Sequence, residues 1–197
     1  LHPNKMHTLN YRGEYFSVAG PLNLSRSVQG RPVLYTAGSS ATFMDHASSY
    51  TDGAFIHGQT MEDTMQVANG IRARLAEKGR RPEDFVVITS QNPIVGHTDE
   101  EAVTKYKQLL ELKPRNSIPV PLFFGSAERV AAQVALWYES GAMDMLMVRQ
   151  DHPHGLKDFI ELVVPILQER GIFKTEYESD TLRGHLEIPK PAFRKVR

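Results

Sequence analysis

The 197-residue chain has no cysteine, no excess of charge of either sign and no long apolar run. The missing cysteine excludes disulfides, thiolate catalysis and Cys-ligated metal, and it suits a reducing cytoplasm, which is the expected location. Lys plus Arg number 23 and Asp plus Glu number 23. That balance argues against electrostatic capture of nucleic acid or of an anionic membrane. The short basic end from Lys190 to Arg197 reads as a solvated tail. The longest apolar stretch, Phe159 to Leu167, is interrupted by Glu161 and Pro165 and is too short to span a bilayer. No charged-apolar-cleavable leader is expected. A Ser-His-Asp order, paired catalytic carboxylates and a Gly-x-Gly-x-x-Gly sequence are also missing, which sets aside hydrolase, glycosidase and dinucleotide-fold readings.

What is present is the composition of a globular protein, 41% hydrophobic and 23% charged. Residues 1–30 are rich in turn formers and read as an irregular lead-in, with one short extended segment from Glu14 to Val18. Val33 to Ala37 reads as a strand that stops at Gly38, Ser39 and Ser40, before a modest helix from Ala41 to Ser49. A strand running into Gly-Ser-Ser and a helix suits an anion, because glycine permits close backbone approach and the helix start offers free N–H groups. The same pattern also describes many ordinary βα turns.

A second strand follows at Ala54 to Ile56. Thr60 can cap the next helix, with Glu62 and Asp63 in its first turn. Met61, Met65, Ala68, Ile71 and Leu75 give that helix an apolar face as far as Gly79. Phe85 to Ile88 reads as a strand buried on both faces. Thr98 to Glu101 forms a capping box for a helix to about Leu112. Pro114, Pro119 and Pro121 leave 113–125 extended or looped. A helix from Ser126 places Val130, Val134 and Trp137 on one side. Met143 to Val148 is the fourth strand, and a last helix runs from Gly155 to Arg170 with a glycine stop at Gly171.

The order β, α, β, α, β, α, α, β, α predicts a parallel sheet covered by helices. The pattern alone fits either a small open α/β sheet or half of an eight-stranded βα barrel. In a barrel, residues just after strands face the ligand. Those positions hold His57 and Gln59, then Ser90, Gln91 and Asn92, then Arg149 and Gln150. Asp151, His152 and His154 surround Pro153 without helical metal-ligand spacing, so they read as a polar loop and no metal is assigned. Met143, Met145 and Met147 alternate along a strand and are expected in the core, as are Trp137 and Tyr138.

Several dispersed stretches carry a resemblance: Tyr11-Arg-Gly-Glu-Tyr-Phe-Ser-Val-Ala-Gly-Pro-Leu-Asn23, Gln29-Gly-Arg-Pro-Val-Leu-Tyr-Thr-Ala-Gly-Ser-Ser40, Pro93-Ile-Val-Gly-His-Thr98 and Gly125 to Ala131. Leu156-Lys-Asp-Phe159, Val163 to Gly171, Phe173 to Glu178 and Thr181-Leu-Arg-Gly-His-Leu186 extend it to the end of the chain. Together they resemble the C-terminal half of the luciferase-like flavin-dependent monooxygenases. The matching branch is that of nitrilotriacetate monooxygenase component A, dibenzothiophene-sulfone monooxygenase and long-chain alkane monooxygenase. The resemblance implies a TIM barrel of which this chain, as a single domain, holds only the last four βα units, in members roughly twice as long. It divides the chain into a lead-in at 1–30, βα units at 31–171 and a C-terminal tail at 172–197.

The resemblance further implies an enzyme that takes reduced FMN from a separate flavin reductase and uses dioxygen to oxygenate a small organic substrate. Ala37, Gly38, Ser39 and Ser40 correspond to the turn that contacts the FMN phosphate in the family, while His57, Gln91, Asn92 and Arg149 become substrate- or flavin-side candidates. Thr36 replaces the usual Gln, and Thr42-Phe43-Met44 replaces a small residue followed by Gly-Arg. The first four βα units have no counterpart here. The implied state is therefore a fragment or truncated relative, completed by an N-terminal half or by a second copy in a homodimer. A non-catalytic βα scaffold serving as a binding or oligomerisation module is the alternative.

Overall fold

The computed structural model describes residue 4 and residues 6–112 and 121–191. Pro114, Pro119 and the basic end beyond 191 lie outside the described residues. The lead-in forms an antiparallel hairpin of β1 (Tyr11–Arg12) and β2 (Ser17–Val18). Then β3 (Tyr35–Ala37), α1 (Ala41–Tyr50), β4 (Gly53–Phe55), α2 (Met61–Glu77) and β5 (Val86–Gln91) alternate as expected. They are followed by β6 (Ile94–Gly96), α3 (Asp99–Leu112), β7 (Phe124–Ser126), α4 (Ala127–Glu139) and β8 (Met145–Val148). The last long helix consists of α5 (Gly155–Asp158), a π-helical turn (Phe159–Val163) and α6 (Val164–Glu169), and α7 (Leu182–His185) closes the series.

Four strands make one parallel sheet in the order β3-β4-β5-β8, so each βα unit lies beside the next, as in part of a barrel. The segment between β5 and β8 adds something the sequence pattern does not show. There, β6 and β7 pair in parallel as a small side sheet against α3. Three residues per strand are too few to display a period-two pattern, and β7 lies at the end of the stretch that the prolines mark as extended or looped. Lys105 ties the side unit to the last helix, donating to the Val95 carbonyl at 2.8 Å and to Asp158 at 2.9 Å.

Register separates the two faces of the sheet. Ala54, Ile56 and Val87 point to the helices and pack with Ala47, Ala68, Ile71 and Leu75. Leu146 and Val148 pack toward Val130, Val134, Phe159 and Val163. The opposite, inner face presents Phe55, Val86, Ile88 and Met145, covered at its lower end by Leu186 and Ile188 from the C-terminal tail. Arg183 locks that tail down: it reaches Asp52 Oδ2 at 2.6 Å and the carbonyls of Arg31 and Pro32. Asp52 also accepts from Arg31 at 2.5 Å and from the Leu34 N–H at 2.9 Å.

Several expectations need correction. Val33 and Phe85 precede their strands, and the fourth strand starts at Met145, not Met143. Ser90 and Gln91 are the final residues of β5, so only Asn92 lies beyond that strand. Of the three methionines Met143 is buried, whereas Met147 is 49% exposed on the inner face. Trp137 is buried but Tyr138 is 46% exposed, because neighbours on a helix point about 100° apart and only Trp137 falls on the face of α4 that carries Val130 and Val134. Half of the capping box at α3 forms as expected, with Thr98 Oγ1 accepting from the Glu101 N–H at 3.2 Å, whereas the Glu101 carboxylate accepts from the His97 N–H at 2.8 Å and not from that of Thr98.

Candidate functional site

The turn after β3 is built around Gly38. Its N–H continues the ladder to the Phe55 carbonyl at 3.2 Å. Its φ of +153° is a conformation side chains rarely adopt, and an added Cβ would lie 2.8 Å from the Phe43 ring. Ser40 then caps α1, its Oγ accepting from the Phe43 N–H at 3.1 Å and its carbonyl from the Met44 N–H at 2.9 Å. The N–H groups of Ala41 and Thr42 precede these bonds and face outward from the positive helix end. The first turn of α1 holds no acidic residue. Ala37, Gly38, Ser39 and Ser40 are all exposed.

Beside this turn is the one between β4 and α2. Gly58 sits there, where a Cβ would come within 2.7 Å of the Thr64 backbone nitrogen, so the turn is closed tightly onto α2. Thr60 caps α2 by accepting from the Asp63 N–H at 3.1 Å. Between the two turns lies a cleft of about 360 Å³ whose lining includes Ser39, Met44, His57, Gln59, Asp63 and Gln66. The structure thus brings Ser39 and His57, assigned separately from sequence, into one site. Hydroxyl and N–H donors around an open helix start form a donor set that fits a phosphate group. Met44, Asp63 and Gln66 were not recognised as lining residues. The only sequence signal for Asp63 was its place in a helical first turn, which says nothing about the neighbouring turn it faces.

The remaining candidates lie farther along the same C-terminal edge of the sheet. The Arg149 N–H donates to the Gln91 carbonyl at 2.8 Å, and the Arg149 side chain is exposed. Gln91 is buried with its Nε2 unpartnered, and Asn92 donates to Asp151 while its Oδ1 is buried without a partner. In the following loop, His152 Nδ1 accepts from the His154 N–H at 3.3 Å. Burial, and then the nearby Lys105 ammonium, lower the His152 pKa and favour its neutral form. Among the described residues no group of three or more His, Cys, Asp or Glu is placed to hold a metal ion, and no helix is long and apolar enough to cross a membrane.

Residues 4–157 match the family model described as luciferase-like monooxygenase. The chain is 30% identical to N-acetyl-S-(2-succino)cysteine monooxygenase of Bacillus subtilis (strain 168), over 98% of this chain and 58% of that protein. It is 28% identical to nitrilotriacetate monooxygenase component A of Aminobacter aminovorans, over 95% of this chain and 55% of the relative. The solved long-chain alkane monooxygenase superposes with a TM-score of 0.83 at 28% identity, covering 94% of this chain and 52% of that one. A riboflavin lyase solved with modified FMN and riboflavin shares the fold, with a TM-score of 0.85 at 24% identity. The chain spans somewhat over half the length of the curated relatives it matches.

Proposed function

The chain belongs to the luciferase-like monooxygenase family, and from that premise we propose that it forms the flavin-phosphate side of an FMN-dependent monooxygenase. Its homologues are flavin-dependent monooxygenases, and the observation that carries the reading here is the cleft joining the β3–α1 and β4–α2 turns. Gly38 lets the turn approach a phosphate, the Ser39 and Ser40 hydroxyls and the Ala41 and Thr42 N–H groups donate to it, and Ala37 places the turn at the end of β3. Ser40 can do so while capping, since its hydroxyl proton is not used in accepting from Phe43.

When bound, reduced FMN supplies the electrons with which dioxygen delivers one oxygen atom to a small organic substrate. This chain's residues hold and orient. The inner-face side chains Phe55 and Met147 limit water access above the covered part of the sheet. At the end of β5 Gln91 and Asn92, each with a buried polar atom left without a partner, lie close to the flavin or substrate side, and Arg149 supplies a cation farther along the edge. In this reading residues 31–171 are the last four βα units of a barrel, 1–30 and 172–197 are its lead-in and tail, and a separate reductase supplies the flavin in the cytoplasm.

Titration with FMN and with riboflavin, followed by flavin fluorescence, tests the site. Tighter binding of FMN, reduced about tenfold by Ser39→Ala, is expected for the loss of one hydrogen bond to a charged group. Equal binding of the two flavins by both proteins would remove the site. A non-catalytic scaffold is the second reading. It is favoured by Met44 in the cleft wall and Asp63 at its side, and it predicts binding of neither flavin.

A further inference from the structure

Resting on the phosphate-site reading above, we propose that His57 is the cation of that site and that Asp63 opposes it, so that the preference for a phosphorylated flavin is set by pH. Among the described residues the cleft lining contains no Lys or Arg. A phosphate dianion placed against Ser39 therefore meets two titratable lining groups, the His57 imidazole from the β4–α2 turn and the Asp63 carboxylate from α2.

The other charges on the surrounding elements are engaged elsewhere or carried on neighbouring turns. Arg74 of α2 donates to the Gly70 carbonyl at 2.8 Å and lies against the Met44 sulfur, behind the cleft wall. Asp45 of α1 pairs with Lys78 at 2.6 Å, and His46 packs on Tyr50 with ring centroids 5.2 Å apart. Glu62 sits beside Asp63 in the first turn of α2, adding negative potential without lining the cleft. Next to β4, the end of β5 contributes only the uncharged Ser90 and Gln91, and Arg149 follows β8, two strands away in the sheet.

Histidine is the lining side chain that changes charge between pH 5 and 8. Above neutral pH the free imidazole and the free phosphate monoester have both lost their titrating protons, so the charged pair forms only by taking up one proton. The helix start and the hydroxyls still donate at high pH, but the cation is gone while the Asp63 carboxylate remains. Discrimination between FMN and riboflavin, which differ only in the phosphate, then falls. A reversed arrangement, with Lys or Arg in the lining, would keep its preference throughout.

The test measures FMN and riboflavin affinities of the purified protein at pH 6.5 and 8.5, with a histidine NMR spectrum as a second readout. The FMN-over-riboflavin preference should drop about tenfold between the two pH values, the size of one charge-assisted hydrogen bond. His57→Gln should reduce that change to less than about threefold, and His57→Lys should hold the preference high at both values because its cation persists. Asp63→Asn should raise the preference several-fold at both. At pH 7.0, saturating FMN but not riboflavin should move the His57 imidazole resonances, identified by their loss in His57→Gln, to their protonated positions. A preference whose pH dependence survives in His57→Gln, or imidazole resonances that FMN leaves in place, would overturn the assignment of His57 and leave the phosphate site standing. The absence of any FMN preference at either pH would instead overturn the site itself.

Discussion

At the scale of single residues, Gly38 has two separable reasons to be glycine. One is its φ of +153°, and the other is the Phe43 ring 2.8 Å from the place a Cβ would occupy. Gly38→Ala should therefore cost about 1–3 kcal/mol in urea unfolding, combining backbone strain with a displaced ring. Phe43→Ala removes the steric part and leaves the dihedral part, so in a double-mutant cycle the second Gly38→Ala penalty should be smaller by about 0.5–1 kcal/mol. Equal penalties in both backgrounds would mean that φ alone demands the glycine. The Gly-Ser-Ser sequence was enough to place the turn and its helix cap. It could not show that Phe43 folds back over Gly38, because that contact depends on a side-chain rotamer, and it could not show Asp63 beside Ser39, because two turns 20 residues apart meet only when β3 and β4 pair.

At the scale of elements, the long helices and the four strands of the main sheet were legible, and the two strands of the side sheet were not. Helix α2 runs for 17 residues, so its apolar spacing repeats over several turns and Ala68, Ile71 and Leu75 are buried as expected. By contrast β6 and β7 are three residues each, and their pairing across α3 leaves no period to read. The tail shows a third case. Arg183 and Asp52 lie 131 residues apart, and nothing local in either segment announces that both side chains are buried, at 4% and 6% exposure. Burial acts to raise the Asp52 pKa, but hydrogen bonds from Arg183, Arg31 and the Leu34 N–H outweigh it, leaving the carboxyl below its usual value. A lowered folded-state pKa stabilises the protein above the unfolded value, about 3.9, and that stability is lost as pH falls through the folded value. The Tm should therefore drop as the pH falls below about 4, and the part due to Asp52 should be missing in Asp52→Asn. Arg183→Ala, which leaves a buried carboxylate with one fewer partner, should cost about 3 kcal/mol at neutral pH in a circular-dichroism melt.

At the scale of the whole molecule, the four-stranded sheet is complete on its helix side and unfinished on the other. Parallel sheets are normally covered on both faces, yet among the described residues Leu186 and Ile188 of the tail cover only part of the inner face. Tyr35 on β3 and Met147 on β8 remain 40% and 49% exposed at the two outer strands, each of which has one backbone edge without a strand partner among the described residues. The lead-in adds Tyr15, Leu22, Leu24 and Val28, all 78–80% exposed. Apolar surface spread along open strand edges favours association with another set of strands. Light scattering after size exclusion should accordingly give a mass greater than that of one chain. If the inner face takes part, Tyr35→Glu together with Met147→Glu places carboxylates where association would strip them of water, and the double variant should elute as a single chain. Were the two side chains simply facing solvent, the same changes would leave the mass unaltered and shift stability by no more than about 0.5 kcal/mol. FMN titration of the dissociated variant then separates two roles of the association. The β3–α1 and β4–α2 turns belong to one chain, so the preference for FMN over riboflavin should persist in the single chain, whereas total flavin affinity should fall if the ring is gripped from across the inner face.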